Sequence, residues 1–412
     1  MTRRPAWLSA GWWGAGAVFM LILGSRVAWG VPSMEDPQRA WLLIAGCLGA
    51  YAVTVISTRR MASVDIGGFH PFLGVAIALV AFGAVSAILL FARTYYSRSF
   101  LLTAMGVTVA WLVIGRLLKR RYFQPTLAVE AGVLPPSAPI TRDARYVRLD
   151  APLLGDTPVD AVIGDLETDD PQWQRFHAAC EVSGIPVYNG PLVGEQLTGR
   201  VWLEHLRSGH LANFQPHPVY LAFKRGLDLL IVLVSSPVTL PVAVVAALAI
   251  KFDSPGPVFF AQSRVGQRGQ SFSIVKFRSM RVGADRAGPR FAGEQDNRIT
   301  RVGHLIRRTR IDELPQFWNV IKGEMSVIGP RPEQVEFVKA FERSIPFYAY
   351  RHLVKPGISG WAQVTRGYAA SEDGTRDKLE HDLYYVKYCS GWLDLVIIFR
   401  TFRIIVTGDG AR

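Results

Sequence analysis

Before residue 120 the chain passes through four apolar stretches, Trp7–Gly30, Trp41–Ile56, Phe72–Phe91 and Phe100–Leu118. They constrain its folding more than any other feature, because a helix of roughly 20 apolar residues spans the hydrocarbon core of a bilayer. The first, third and fourth approach that length and the second is short; all four are read as transmembrane helices. Arg3 and Arg4 precede the first run as they would a signal peptide, yet three further runs follow and no small-residue cleavage site closes it. Half of the 412 residues are hydrophobic, which is high for a water-soluble chain.

Lysine and arginine placement orients these helices. Arg3 and Arg4, Arg59 and Arg60, and the cluster Arg116, Lys119, Arg120 and Arg121 mark cytoplasmic flanks, whereas the first outer loop carries Glu35, Asp36 and only Arg39. Arg93 and Arg98 in the second outer loop run mildly against the rule. The reading places both ends of a four-helix unit, residues 1–121, in the cytoplasm, with everything after it.

The net charge of +13 is unevenly spread. Residues 1–125 hold 12 basic and 3 acidic side chains, residues 126–210 hold 6 and 12, and residues 211–412 hold 28 and 18. An acidic piece between two basic ones implies three units, the outer two facing membrane phosphates or an anionic substrate. No nucleic-acid module is recognisable, so nucleic acid is not an expected partner. Cys47, Cys180 and Cys389 lie far apart, without disulfide or metal-ligand patterning.

In residues 122–210, strand-like Val159–Leu166, the amphipathic "WQRFHAACEVSG" and strand-like Ile185–Gly190 alternate β with α, as in a small Rossmann-like domain. No GxGxxG follows a strand, so no dinucleotide chemistry is expected. A regulatory or dimerising module is the preferred reading.

Residues 211–412 open with the apolar segment Leu229–Ile250, interrupted by Ser235, Ser236, Pro237 and Pro241. Proline removes a backbone donor, and each half would rise only about 12–15 Å, half a hydrocarbon core. Lys224, Arg225 and Lys251 put positive charge on both flanks. A re-entrant helix-break-helix with its break at Ser236 and Pro237 satisfies both facts; a kinked spanning helix is the alternative.

Beyond Asp253, "SIVKFRSM" sets Lys276 and Arg278 on one face of a strand, "GPRP" fixes Arg331 between two prolines, and "KPGISGWAQV" adds Lys355 on a backbone made pliable by Gly357 and Gly360. Such cations on stiff loops suit a diphosphate. Within "RRTRIDELPQ", Asp312 reads in two ways: as an N-cap, with Glu313 on the helix dipole and Pro315 in the first turn, or as a carboxylate poised to attack phosphorus.

From Lys224 onward the chain resembles the bacterial sugar transferase family, the monotopic phosphoglycosyl transferases that load a sugar phosphate onto undecaprenyl phosphate. The resemblance rests on "KRGLDLL", Ser236-Pro237, "SPGPVFFAQSRVG", "VKFRSM", "RRTRIDELPQFWNVIKGEMSVIGPRPE", "KPGISGWAQV" and "DLYYVKYCSGWLDLVIIFRT", in that order. It implies that Asp312 is the nucleophile on a UDP-sugar, that Glu313 helps bind Mg²⁺ or activate the lipid phosphate, and that Lys276, Arg278, Arg308 and Arg331 bind phosphates. It further implies a location on the cytoplasmic face of the bacterial inner membrane, among membrane lipids. The upstream units resemble the longer members, which begin exopolysaccharide or O-antigen repeats; from that architecture the expected sugar is glucose or galactose. Glu324 stands where Asp is commoner, and "TRGYAAS" (Thr365–Ser371) replaces the usual Asn-Gly-Arg, leaving the sugar open.

The expected architecture is thus a membrane protein with a four-helix transmembrane unit, a Rossmann-like α/β domain and an α/β-type catalytic domain carrying the re-entrant helix 229–250. A homodimer through the helices or the acidic domain is the expected assembly. Asp382 is a further candidate substrate contact, its alternative being a helix-surface carboxylate. His304, His352 and His381 lack metal spacing, and Trp392–Val406 reads as an amphipathic helix on the membrane surface. Two rivals remain: an inactive scaffold of the assembly machinery, and a glycosyltransferase without a covalent intermediate. The second would need an Asp-x-Asp metal site, for which Asp169-Asp170 is a poor candidate.

Overall fold

The structure, a computed structural model, describes residues 6–29, 37–62, 71–93, 97–122, 124–134, 144–155, 158–206, 214–283, 297–366 and 372–407. Arg3, Arg4, Glu35, Asp36 and residues 367–371 of "TRGYAAS" lie outside them. The chain divides into two compact units, Met1–Thr198 and Gly199–Arg412.

All four apolar runs form helices: α1 (Ala6–Trp29), α2 (Pro37–Ala62), α3 (Pro71–Phe91) and α4 (Arg98–Tyr122). Even α3, with 21 residues, is about 31 Å long at 1.5 Å per residue, enough to cross a bilayer. The short second run extends to 26 residues because polar ends join its apolar centre. Met20, Leu43, Cys47, Phe82, Phe100 and Ala104 form the seam between helices. Leu79, Val80, Ile88 and Phe91 are exposed, Phe91 at 94%. Apolar side chains turned outward along helices of this length mark a membrane protein.

The α/β part of this unit is a parallel sheet in the order β2-β1-β3-β4. Its strands are β1 (Thr126–Glu130), β2 (Arg145–Leu149), β3 (Ala161–Gly164) and β4 (Val187–Asn189). The expected helix is α5 (Pro171–Val182), where Asp170 caps the first turn by accepting from Gln172 N at 2.8 Å. That role accounts for the carboxylate in "DDP". A second helix, α6 (Gly190–Thr198), follows β4 directly.

The second unit carries two small sheets. An antiparallel hairpin joins β5 (Phe259–Val265) to β6 (Ser271–Phe277), and a parallel pair joins β7 (Ser326–Ile328) to β8 (Gly357–Ser359). Helices α7 (Pro218–Asp253), α8 (Arg301–Arg308), α9 (Gln316–Lys322), α10 (Val335–Ser344), α11 (Trp361–Arg366), α12 (Glu372–Lys387) and α13 (Gly391–Thr407) surround them. Two results revise the reading of the sequence. Ser236 and Pro237 lie inside the continuous helix α7, not in an unwound break. The missing N–H of Pro237 would have served Leu233 O, and Ser236 Oγ donates to that carbonyl instead, at 2.7 Å. Gly357 and Gly360 serve close approach rather than pliability: a Cβ on either would fall 2.0 Å and 2.3 Å, respectively, from backbone atoms of Gly329.

The first half of α7 is pinned by charge. Asp228 accepts from Ser326 Oγ at 3.0 Å and Val327 N at 3.1 Å, and Lys224 donates to Asp394 at 2.6 Å. Val232 packs with Ile274, Val320 and Phe317, while Ala246 and Ile250 pack with Phe277, Ile306 and Leu314. Both halves of α7 therefore lean on one strand, β6, the first through Ile274 and the second through Phe277. Between them Leu233, Val234, Val238, Leu240, Val244 and Val245 are exposed. Asp394 of α13 is buried beside the start of α7, accepting from Tyr220 and Tyr385 as well as Lys224. Phe399 and Phe402 remain exposed on the same helix.

Candidate active site

Helix α8, capped by Thr300, ends at Thr309, and Arg310 then takes a left-handed conformation at φ 59°. That reversal starts a single 3-10 turn, Ile311–Glu313, whose flanking Ile311 and Leu314 are sunk in the Ile250–Phe277–Ile306 cluster. Two apolar anchors thus aim two acidic side chains. The capping role expected for Asp312 is not what forms: α9 begins at Gln316, its N-cap position is Pro315, and no side chain caps it.

Glu313 is buried, with 6% exposure, and three cations address one of its oxygens, Oε1. Arg331 Nη2 donates at 2.7 Å, Arg310 Nη1 lies at 3.7 Å and Lys276 Nζ at 3.9 Å. Burial alone would raise the pKa of Glu313, but Arg331, then Lys276 and Arg310, outweigh it and hold the carboxyl down at about 2. Asp312 moves the other way, to about 6, through burial and the adjacent Glu313 charge. Burial and Arg331 depress Lys276 to about 8. One carboxylate is locked in the ionised form while its neighbour stays close to the operating range of a nucleophile or base.

Arg331 owes its placement to the glycine-tight crossing of β7 and β8. Gly329 N donates to Ser359 O and Gly357 N to Pro330 O, both at 2.9 Å. Beneath the loop, Arg351 donates to Arg331 O at 2.9 Å, to Asp382 at 2.6 Å and to Tyr348 Oη at 2.8 Å. Glu333 is held by Lys378 and lies 3.9 Å from Arg264, which donates to Pro332 O at 3.2 Å.

The expected site residues therefore separate. Asp312, Glu313, Lys276 and Arg331 come together. Arg278 lies one residue past the end of β6 and donates to Ser254 O, Ser254 Oγ and Pro255 O, clamping the chain after α7. Arg308 is exposed, on the same face of α8 as exposed Leu305; the neighbour whose charge bears on Asp312 is Arg307. Asp382 is 1% exposed and pairs with Arg351, so it is neither a surface carboxylate nor open to a ligand. Lys355 lies beside Gly323, where burial and Arg225 lower its proton affinity. Arg310, Arg264, Arg351 and Glu333 belong to the assembly although the sequence reading did not select them. The signal was present for Arg310 alone, which stands two residues before Asp312.

Among the described residues no group of three or more His, Cys, Asp or Glu side chains could hold a metal ion. The Asp312–Glu313 pair still fits Mg²⁺, which takes hard oxygen donors from one or two carboxylates and completes its shell with substrate phosphate and water.

A family model described as bacterial sugar transferase matches residues 219–408. Over 390 residues, 94% of this chain and 92% of the relative, the sequence is 47% identical to the UDP-N-acetylgalactosamine-undecaprenyl-phosphate N-acetylgalactosaminephosphotransferase of Aeromonas hydrophila. It is 42% identical over 223 residues to the UDP-glucose:undecaprenyl-phosphate glucose-1-phosphate transferase of Escherichia coli (strain K12), covering 54% of this chain and 44% of that one. With the exopolysaccharide production protein PSS of Rhizobium leguminosarum bv. phaseoli it shares 41% identity over 187 residues, 44% of this chain and 94% of the relative. The chain belongs to the bacterial sugar transferase family.

Proposed function

We propose that the chain transfers a sugar 1-phosphate from a UDP-sugar to undecaprenyl phosphate, through a covalent intermediate on Asp312. An Asp312 carboxylate oxygen attacks the phosphorus that bears the sugar. The bond from that phosphorus to the bridging oxygen breaks, UMP leaves with the oxygen, and an acyl phosphate joins Asp312 to the phosphosugar. A phosphate oxygen of the lipid then attacks the same phosphorus and displaces the carboxylate, giving undecaprenyl-diphospho-sugar. Arg331, Lys276 and Arg310 offset the negative charge that gathers on the transferred group, and the stiff loops hold the line of attack. Asp312 and Glu313 would hold Mg²⁺, which would supply further charge neutralisation when bound.

The observation that carries this reading is the surplus of cations around a carboxylate pair, Glu313 buried and Asp312 half-buried, that caps nothing. The same assembly disfavours an inactive scaffold. UDP-N-acetylgalactosamine is the preferred donor, because the Aeromonas relative matches nearly the whole chain whereas the glucose-named E. coli relative matches about half of it. UMP release from a panel of UDP-sugars, with Mg²⁺ and undecaprenyl phosphate, tests the reaction and the sugar together; no release with any donor sinks it.

We read α7 as entering and leaving the membrane from the cytoplasmic side of the inner membrane. Both halves rest on one small unit, and the apolar exposure lies between them. Single cysteines at exposed Val282 and exposed Val238, in a cysteine-free background, should resist a membrane-impermeant reagent applied outside intact cells. Labelling at 282 contradicts the topology. The assembly we propose is a homodimer, checked by light scattering in detergent; a monomer mass rejects it.

A further inference from the structure

The family match begins at residue 219, and the Rhizobium relative is nearly exhausted by its 187 aligned residues. Yet the second unit begins at Gly199, and the segment 199–206 is bound tightly to α11 and α12. Trp361 Nε1 donates to Gly199 O at 2.6 Å. Gly199 has φ +67°, and a Cβ there would come within 2.8 Å of the Trp361 ring, so only glycine passes under the indole. Val201 N donates to Glu380 O at 3.0 Å, and Leu203 N to Glu380 Oε1 at 3.4 Å. Arg200 pairs with Asp377 at 2.9 Å and Glu380 at 3.5 Å, while its guanidinium stacks 3.4 Å from the centre of the Trp202 ring. Val201 and Leu203 are buried.

Helix α12 is also what supports the active-site loop. Asp382 holds Arg351, and Arg351 holds the Arg331 carbonyl; Lys378 holds Glu333, two residues past Arg331. Arg331 in turn reaches Glu313. Two sets of ion pairs and charge-assisted hydrogen bonds, joined through the body of α12, thus lie between Arg200 and the acidic pair. Most of their members have little solvent exposure, so the contacts are weakly screened and geometrically demanding.

We propose that residues 199–206 form a strap belonging to the catalytic unit, and that Arg200 is a positioning residue which fixes α12 and, through Asp382 with Arg351 and Lys378 with Glu333, sets Arg331 on Glu313. Arg200 touches no reacting atom. The proposal rests on the transfer reaction given above for its kinetic consequence, but not for its structural one.

The test compares full-length wild type, Arg200→Ala and Arg200→Lys by amide hydrogen exchange and by UMP release. In the alanine variant, exchange at residues 329–334 and 348–354 should quicken at least about fivefold, with β6 unchanged. Its kcat should fall about tenfold while KM for the UDP-sugar stays within about twofold, the split expected when a group aligned for the transition state is loosened. Lysine keeps the charge but loses the planar fork and the stack on Trp202, so it should recover only part of both effects. Faster exchange confined to residues 199–206 and α12, or an unchanged kcat in active enzyme, overturns the proposal. Should wild type release no UMP, the reaction assignment fails, and the exchange pattern alone decides whether the strap sets the loop.

Discussion

Two buried glutamates invite comparison. Glu130 closes β1 of the parallel sheet, where β1 neighbours both β2 and β3 and ligands of open α/β sheets usually bind. Its Oε2 accepts from Asp165 N at 2.9 Å and faces His177 Nε2 at 3.4 Å. A Cβ on Gly164 would strike His177 at 2.3 Å, so the backbone leaves room for that pair and little else. Glu313 meets three cations on one oxygen, with Asp312 beside it and the charge of Arg307 bearing on Asp312. The first carboxylate is matched by its surroundings, one amide and one imidazole. The second is outnumbered by positive charge. A surplus of buried charge costs stability unless an opposite charge arrives, and that surplus marks the second site as the one built for an anion.

The comparison can be broken most sharply at the acidic pair. Asp312→Asn should lower UMP release by on the order of a thousandfold or more, as loss of a nucleophile does. Glu130→Gln should leave release within about twofold. Comparable losses in the two variants would remove the distinction. Next in size, Arg331→Ala should cost about a hundredfold in kcat, the scale of one lost transition-state donor. Lysine should restore only part of it, since a point charge cannot reproduce the fork; full restoration would mean that Arg331 acts through charge alone.

Stability effects sharpen the contrast from below. Gly360→Ala places a Cβ 2.3 Å from Gly329 O and should destabilise the second unit by about 2–4 kcal/mol, read as a lower Tm in detergent. Glu130→Ala leaves Asp165 N without its acceptor and should cost about 1–3 kcal/mol. The smallest effect concerns pH. Lys378, Arg351 and Arg264 overcome the effect of burial on Glu333 and lower its pKa from 4.5 to about 2. A depressed carboxylate contributes stability above its unfolded value and loses it as pH falls through the folded one. Wild type should therefore lose stability between about pH 4.5 and 2 more steeply than Glu333→Gln, and parallel curves would show that the pairing is worth little.

Much of this was legible in the sequence because the signals were long or chemically narrow. Four apolar runs gave four helices, and alternating patterns gave β3, α5 and β4. Strands β1, "TLAVE", and β2, "RYVRL", were missed; the second shows a charged edge that conceals its pairing. Pro237 was rightly seen as a missing donor, but the sequence could not show that Ser236 would fill the vacant carbonyl. Asp312, Glu313, Lys276 and Arg331, grouped from local chemistry, do lie together. Arg278, Arg308 and Asp382 stand apart from that cluster because their placement depends on tertiary surroundings: the Ser254 carbonyl, the outward face of α8, and Arg351.

The central claim, that Asp312 carries the phosphosugar, is tested most directly by intact-protein mass spectrometry of enzyme mixed with UDP-N-acetylgalactosamine and Mg²⁺ in the absence of undecaprenyl phosphate. The account predicts an added mass of one phosphosugar, mapped to the peptide containing Asp312, absent from Asp312→Asn and discharged when the lipid phosphate is supplied. Rapid turnover on complete substrates with no adduct in wild type, or an adduct that persists in Asp312→Asn, would contradict it.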